Sequence, residues 1–161
     1  MGLRFPEQIF GKCFFITTAF DHWERFGDRT GVYNELASSL TFCIEKYNAL
    51  LPAYVFMPSH VHILVALDGY RLGDMMRDFK KYVAQKAMRA LGVKSPRIWR
   101  PRYDRLVVFS EETFLQKLNY IHQNPVKAKL VDVQSDWPWS SAPAYTSGEA
   151  GPVPVWTEWF W

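Results

Sequence analysis

The stretch AYVFMPSHVHILVAL (residues 53–67) consists of two apolar segments with a polar break between them. Both segments, AYVFM (53–57) and VHILVAL (61–67), are rich in β-branched and aromatic residues, which is typical of buried strands. Pro58 and Ser59 between them have turn chemistry. We therefore predict two strands that pair as an antiparallel hairpin.

Further strands and helices are predicted on both sides of this hairpin. KCFFITT (12–18) has the composition of another buried strand, and apolar residues recur at helical spacing over 32–47. After the hairpin we predict a helix over 74–91, a strand over 104–109, and a third helix that begins after the N-cap Ser110 and ends at about Asn124, before Pro125. The order β, α, β, β, α, β, α favours an α+β sandwich of the ferredoxin-like kind, with helices packed on a small antiparallel sheet.

The composition is that of one globular domain. The chain has 161 residues, of which 48% are hydrophobic and 17% aromatic, so it can form a core without disulfide or metal staples. Cys13 and Cys43 form no CxxC pair, which favours a reducing cytoplasm. No apolar run reaches the ~18 residues of a membrane span, and residues 1–10 lack the apolar core of a secretory signal. We expect a cytoplasmic protein without a membrane partner, with a core over about 11–131 and an aromatic tail over 132–161.

Positive charge is concentrated in one part of the sequence. Residues 77–105 contain ten Lys or Arg and two acidic residues, so the rest of the chain is acidic although the net charge is +3. A basic surface of this kind favours a polyanion, because phosphates neutralised by Lys or Arg release their counterions. The alternative is a solvated basic helix that binds no ligand.

His60 and His62 are two residues apart at the start of the second hairpin strand. On a strand this spacing sends both side chains to the same face of the sheet. Two neutral imidazoles on one face can chelate a divalent cation. An HxH pair also occurs by chance, with each histidine hydrogen-bonded in the core or at the surface.

Tyr120 and Asn124 are four residues apart near the end of the third helix and can share one helical face. A tyrosine in that position can attack a phosphodiester if a metal ion polarises the phosphate. The alternative is that Tyr120 packs against the core and that Asn124 is a helix C-cap. These two residues alone leave both interpretations open.

Five stretches taken together resemble one known family. They are MPSHVHILVAL (57–67), FKKYVAQKA (79–87), IWRPRYDRLVV (98–108), YIHQNPVKAKLV (120–131) and WPWSS (137–141). In this order they resemble the REP-associated tyrosine transposases, which belong to the HUH single-tyrosine transposase superfamily. The similarity covers roughly residues 11–145, and the HxH strand together with the YIHxNPVK helix end is far more specific than either motif alone.

The resemblance implies an RRM-like sheet, a Mg²⁺ or Mn²⁺ ion, and a tyrosine that cleaves single-stranded or hairpin DNA through a covalent 5′-phosphotyrosine. His60 and His62 match the metal-binding HUH pair, and Tyr120 matches the nucleophile. Asn124 stands where relatives often supply a third polar ligand, although Gln is usual there in the insertion-sequence branch. We interpret His122 as structural or DNA-contacting rather than as a ligand. The protein would be a transposase that works as a monomer or a homodimer.

The predicted DNA contacts come from basic residues and from the aromatic residues between them. Trp99 and Tyr103 would stack on unpaired bases, and the alternative for both rings is a place in the core. The predicted phosphate contacts are Arg77, Lys80, Lys81, Arg100, Arg102 and Lys127.

Two other functions are compatible with parts of the pattern. An RRM-like or domesticated nucleic-acid-binding module that does not cleave would need the basic surface but neither the histidines nor Tyr120. A zinc hydrolase would use the HxH pair with a water nucleophile and would form no covalent DNA adduct. No acidic residue lies within three positions of His60 or His62 to serve as its base, which weakens the hydrolase interpretation.

Overall fold

Four strands and four α-helices are found in the part of the chain that this computed structural model describes, residues 12–92 and 97–158. The strands are β1 (Cys13–Ala19), β2 (Leu50–Phe56), β3 (His60–Ala66) and β4 (Asp104–Val107). The helices are α1 (Val32–Lys46), α2 (Leu72–Leu91), α3 (Glu111–Lys127) and α4 (Ala142–Thr146). Short 3-10 turns occur at Asp21–Trp23, Phe26–Asp28, Gly69–Arg71 and Gln134–Asp136.

The strands form one antiparallel sheet in the order β2-β3-β1-β4. β2 and β3 are the predicted hairpin, and the Met57 amide donates to the His60 carbonyl at 2.8 Å to close it. β2 begins at Leu50, earlier than predicted, and includes Pro52, which an edge strand tolerates because its outer amides need no ladder partner. The predicted ferredoxin-like α+β architecture is confirmed.

The two faces of the sheet carry different helices. Alternate residues of β3 point to opposite faces, so Val61, Ile63 and Val65 pack with α1 and α2 in the larger core. Leu64 points the other way and packs with residues of α3 in a smaller core. His60 and His62 have the parity of Leu64, so they lie on the sheet face that α3 covers, which we call the α3 face.

Helix α3 continues beyond the predicted end at Asn124. It runs to Lys127 with Pro125 inside it. Proline removes one helical hydrogen bond, but Pro125 is buried in the last turn and its carbonyl accepts the Leu130 amide at 2.9 Å. The preference of a residue before proline for extended backbone is therefore overridden here by packing and by the bonds that close the turn.

The chain after α3 closes the outer edge of β2. The sequence predicts irregular structure for this stretch, but it contains α4, and its backbone bonds to the strand at three places. These are Phe56 N to Trp139 O at 2.8 Å, Ser141 N to Tyr54 O at 3.0 Å, and Trp156 N to Leu51 O at 3.0 Å. An open edge strand can pair with another chain, and this segment occupies those backbone groups instead.

Cys13 and Cys43 are both buried and free. A helix long and apolar enough to cross a membrane is not found among the described residues.

Candidate active site

The histidine pair, His60 and His62, converges on the α3 face as predicted. The two ring centroids are 4.7 Å apart. On β1, Thr17 lies opposite His62 and Ala19 lies opposite His60, so small or polar neighbours flank the pair. Phe15 stacks on the His62 ring at 5.5 Å and limits its access to water from that side.

Each imidazole of the pair is oriented through Nδ1. The Thr17 hydroxyl oxygen lies 2.9 Å from Nδ1 of His62, and the Ser59 hydroxyl oxygen lies 3.0 Å from Nδ1 of His60. Nε2 of His62 is buried and has no hydrogen-bond partner in the structure. An unmatched buried nitrogen is costly unless a ligand satisfies it, so this atom marks a binding position.

Both histidines are held in the neutral form. Burial lowers the pKa of His60 to about 4. Burial also lowers the pKa of His62 to about 3, and the nearby His60 and Lys117 add to the effect. Because neutral imidazole is the form that coordinates metal ions, the pair is ready to do so at physiological pH without first losing protons.

Tyr120 reaches the histidine pair from α3. Its ring centroid lies 5.2 Å from that of His62, and 39% of the side chain is exposed. The Nζ atoms of Lys117 and Lys127 lie 5.7 and 5.8 Å from the centre of the Tyr120 ring. A partly exposed phenol between two ammonium groups, beside an unpartnered imidazole nitrogen, is suited to meet an anionic group.

Asn124 lies one helical turn after Tyr120 and is half-buried. Because α3 continues through Pro125, Asn124 stays on the helical face that it shares with Tyr120. Its amide is the polar group on α3 that the sequence assigns to the metal, and that assignment stays a prediction.

His122 is a structural residue, in line with the sequence interpretation. It is buried, and its Nε2 lies 2.7 Å from the Ser141 hydroxyl oxygen. The same hydroxyl accepts the Tyr54 amide at 3.0 Å, so His122 ties α3 to β2 through the WPWSS segment. Burial lowers the pKa of His122 to about 4, which keeps this ring neutral as well.

The predicted stacking of Trp99 on DNA bases is wrong. Trp99 is buried and stacks on Phe20 with the ring centroids 4.5 Å apart. Its indole nitrogen donates to the Lys80 carbonyl at 3.0 Å. Tyr103 is half-buried against the larger core, and its contact with DNA stays a prediction.

The predicted role of Lys80 as a free phosphate contact is also corrected. Its ammonium donates to the Arg100 carbonyl at 2.7 Å, and burial lowers its pKa. Lys80 therefore joins α2 to the loop before β4, and its charge is partly withdrawn from solvent.

The other predicted phosphate contacts lie on two sides of the sheet. Arg77 and Lys81 are exposed on α2, across the sheet from the histidine pair, and Arg77 forms ion pairs with Asp74 and Asp78. Arg100 and Arg102, by contrast, line a cavity that opens beside the histidine pair. Lys127 lies near Tyr120, so this second group surrounds the candidate active site.

Two residues beside the site were not identified from the sequence. The Trp23 ring centroid lies 5.3 Å from that of His60, and Lys117 Nζ lies 4.7 Å from the centre of the Phe15 ring. Lys117 stands three residues before Tyr120, so helical spacing could have indicated it. Trp23 lies in a turn far from His60 in sequence, and no local pattern predicts their contact.

The sequence as a whole matches a known family of transposases. The sequence profile described as "Transposase IS200 like" matches residues 24–124, a range that includes all three predicted catalytic residues. The chain therefore belongs to the IS200-like transposase family.

Within that family, the chain is similar to the REP-associated tyrosine transposases, as the sequence motifs indicated. It is 29% identical over 129 residues to such a protein of Haemophilus influenzae, covering 71% of this chain and 73% of that protein. It is 32% identical over 93 residues to the REP-associated tyrosine transposase of Escherichia coli K12, covering 55% of this chain and 52% of that protein.

Solved structures share the fold. A REP-associated tyrosine transposase bound to a REP hairpin superimposes with a TM-score of 0.74, at 24% identity, covering 99% of this chain and 95% of the other. A transposase of Deinococcus radiodurans R1 superimposes with a TM-score of 0.54, at 22% identity, covering 75% and 94%. At these identities the likeness establishes the fold alone.

Proposed function

We propose that this transposase cleaves and rejoins single-stranded hairpin DNA through a covalent 5′-phosphotyrosine on Tyr120, with the help of a divalent ion, Mg²⁺ or Mn²⁺. One observation carries the proposal: the partly exposed Tyr120 ring lies 5.2 Å from the ring of His62, whose Nε2 is buried and unpartnered. The proposed nucleophile and a position for a ligand thus lie side by side on the α3 face. The hairpin bound by the structural relative supports the class of substrate.

The side chains present fit a divalent ion. His60 and His62 would hold it through Nε2, with the Asn124 amide oxygen as the candidate third ligand. An ion bound there would act as a Lewis acid on the scissile phosphate. The described residues contain no cluster of three His, Cys, Asp or Glu side chains that could hold a metal. A catalytic zinc site uses such a set of three protein ligands, so the zinc-hydrolase alternative has less support.

The chemistry at Tyr120 exchanges one phosphoester for another. The Tyr120 oxygen bonds to phosphorus, and the bond from phosphorus to the 3′ oxygen of the preceding nucleotide breaks. The phenolic proton passes by way of solvent to that oxygen, which leaves as a 3′-hydroxyl. The bond energy is retained, so a new 3′-hydroxyl can displace Tyr120 without ATP. The ammonium groups of Lys117 and Lys127 lie where they can offset the phosphate charge.

Replacing the nucleophile tests this proposal. Tyr120→Phe removes one hydroxyl and keeps the packed ring, so we expect loss of cleavage and of the covalent adduct with folding and DNA binding retained. Tyr70→Phe is the matched control, because Tyr70 is exposed at 63% and lies in the turn before α2. It should cleave like the wild type. The measurement is denaturing electrophoresis after incubation with labelled hairpin DNA and Mg²⁺ or Mn²⁺.

Two results would contradict the proposal. An adduct of normal yield with Tyr120→Phe would mean that another tyrosine is the nucleophile. A wild-type protein that binds hairpins but cuts none with either ion would favour the binding module that does not cleave.

A further inference from the structure

A cavity of about 290 Å³ opens on the α3 face directly beside the histidine pair. Its volume is close to the ~300 Å³ of the smallest ligand sites. Helix α3 packs over β2 and β3, so the cavity lies over the other half of this face, at β1 and β4. The side chains that line it include Thr17, Ala19, Trp23, Arg100, Arg102 and Asp104.

The strand register joins the cavity to the candidate active site. Thr17 lies opposite His62 on β3 and opposite Asp104 on β4. Residues directly opposite in antiparallel strands point to the same face, so these three side chains form a row, with Asp104 about 10 Å from His62 over two strand spacings. Thr17 is shared by the cavity and the candidate active site, because it lines the cavity and its hydroxyl contacts Nδ1 of His62.

Trp23 lines the cavity and contacts His60. One neighbour of its ring is His60, with the centroids 5.3 Å apart, and another is the Arg100 guanidinium, 5.6 Å from the ring centre. The side chain is 47% exposed, and its backbone has a φ of 53°. Such a backbone is rare for a bulky residue and costs free energy, so the surrounding turn must hold it in place. That turn presents an aromatic ring to solvent next to the predicted metal ligands.

The chemistry of the lining suits an unpaired nucleobase and its phosphate. An indole face stacks on a base of any identity, and guanidinium groups bind phosphate or add to the stack. The Asp104 carboxylate can only accept hydrogen bonds, so it favours a base that carries an exocyclic amino group. Adenine, cytosine and guanine have such a group, whereas the donor of thymine, its N3–H, lies between two carbonyl oxygens that repel a carboxylate.

We propose that this cavity binds the nucleobase next to the scissile phosphate, stacked on Trp23. In this arrangement Arg100 and Arg102 hold the adjoining phosphate, and Asp104 disfavours thymine. The inference rests on the proposed function, because it takes the scissile phosphate to lie at the histidine pair. It adds to that function a binding site that recognises one base of the DNA strand next to the point of cleavage.

Equilibrium binding tests the cavity separately from cleavage. The probes are fluorescently labelled hairpin DNAs with single-stranded flanks, either mixed in sequence or made only of thymine. Anisotropy is measured with the Tyr120→Phe protein in EDTA, where no strand is cut. Stacking on one base contributes ~1–3 kcal/mol, so Trp23→Ala should weaken binding of the mixed flanks about 5- to 150-fold. Trp23→Phe should restore most of the affinity.

Phe42→Ala is the matched control, because Phe42 is an aromatic residue of similar exposure, 49%, on α1 across the sheet. It should bind like the parent protein, and thermal melts should show that each variant is folded. Asp104→Asn should remove the preference against thymine, since an amide can also donate to the thymine carbonyl.

Affinity for mixed flanks that Trp23→Ala leaves unchanged would overturn the stacking site, even if the wild type still cleaves DNA. Equal affinity of the parent protein for thymine-only and mixed flanks would overturn the role of Asp104. If the binding effects appear but the wild type never cleaves, the proposed function fails and the cavity is not next to a scissile phosphate.

Discussion

The hydroxyl of Thr17 determines how His62 presents its free nitrogen. It contacts Nδ1 at 2.9 Å, which leaves Nε2 pointing away from β1 with no partner of its own. A hydrogen bond to one imidazole nitrogen fixes the ring orientation and the basicity of the other. The affinity of the predicted metal site therefore depends on Thr17, which is not itself a ligand.

Removing this hydroxyl should weaken metal binding without removing a ligand. We expect Thr17→Val to lower the affinity for Mn²⁺ by about 10- to 100-fold, as measured by electron paramagnetic resonance. Thr18→Val is the matched control, because Thr18 is the next residue, points to the opposite face, and has a buried hydroxyl without a partner. Equal Mn²⁺ affinities of the two variants would contradict the orienting role of Thr17.

At the scale of secondary-structure elements, α1 and α2 are joined by one buried carboxylate. Asp78 on α2 accepts hydrogen bonds from Lys46 Nζ at 2.8 Å and from the Tyr47 hydroxyl at 2.5 Å. The bonds from Lys46 and Tyr47 hold the pKa of Asp78 at about 2. This lies below its value of about 3.9 in an unfolded chain, so ionised Asp78 stabilises the fold.

This stabilisation should be lost in acid. A carboxylate with a lowered pKa contributes fully above about pH 4, and its contribution falls as the pH decreases towards 2. Asp78→Asn should therefore be less stable than the wild type at pH 7, and the difference should shrink between pH 4 and pH 2. Urea unfolding at several pH values measures this. Asp74→Asn is the control and should lose little stability at pH 7, because Asp74 is exposed and its ion pair with Arg77 lies in solvent. If the wild type and Asp78→Asn differed in free energy of unfolding by the same amount at pH 7 and pH 2, the explanation would be contradicted.

At the scale of the whole molecule, basic residues are distributed over two layers. Arg77 and Lys81 lie on α2, while Arg100, Arg102 and Lys127 lie around the α3 face with the histidine pair. Only the second group adjoins the candidate active site. Charge near the site can hold the strand being cut, whereas charge on α2 can contact a more distant part of the DNA.

The salt dependence of DNA binding should distinguish these charges. We expect affinity for single-stranded or hairpin DNA to fall steeply with salt concentration. Arg102→Ala should lower the affinity, and it should reduce the slope of log affinity against log salt concentration by about 0.7–0.9, the value for one phosphate contact. Lys86→Ala is the control, because the Lys86 ammonium is already paired with Glu35 and donates to Ser38 of α1. Its slope should match the wild type. Affinity that does not depend on salt would exclude binding dominated by phosphates.

Local patterns in the sequence determined the order of the main elements and which residues share the candidate site. Period-two alternation placed His60 and His62 on one face, and helical spacing placed Tyr120 and Asn124 on one side of α3, because both depend only on backbone geometry. The motifs around these residues also indicated the family, because each motif is a continuous stretch of the chain.

Only the tertiary structure decided which aromatic and basic residues are available to DNA. Trp99 and Trp23 look alike in sequence, yet the first is buried against Phe20 and the second lines the cavity beside His60. Lys80 is likewise engaged by the Arg100 carbonyl. The burial of these side chains and their contacts depend on residues distant in the chain. The spacing of residues along the sequence therefore does not predict them.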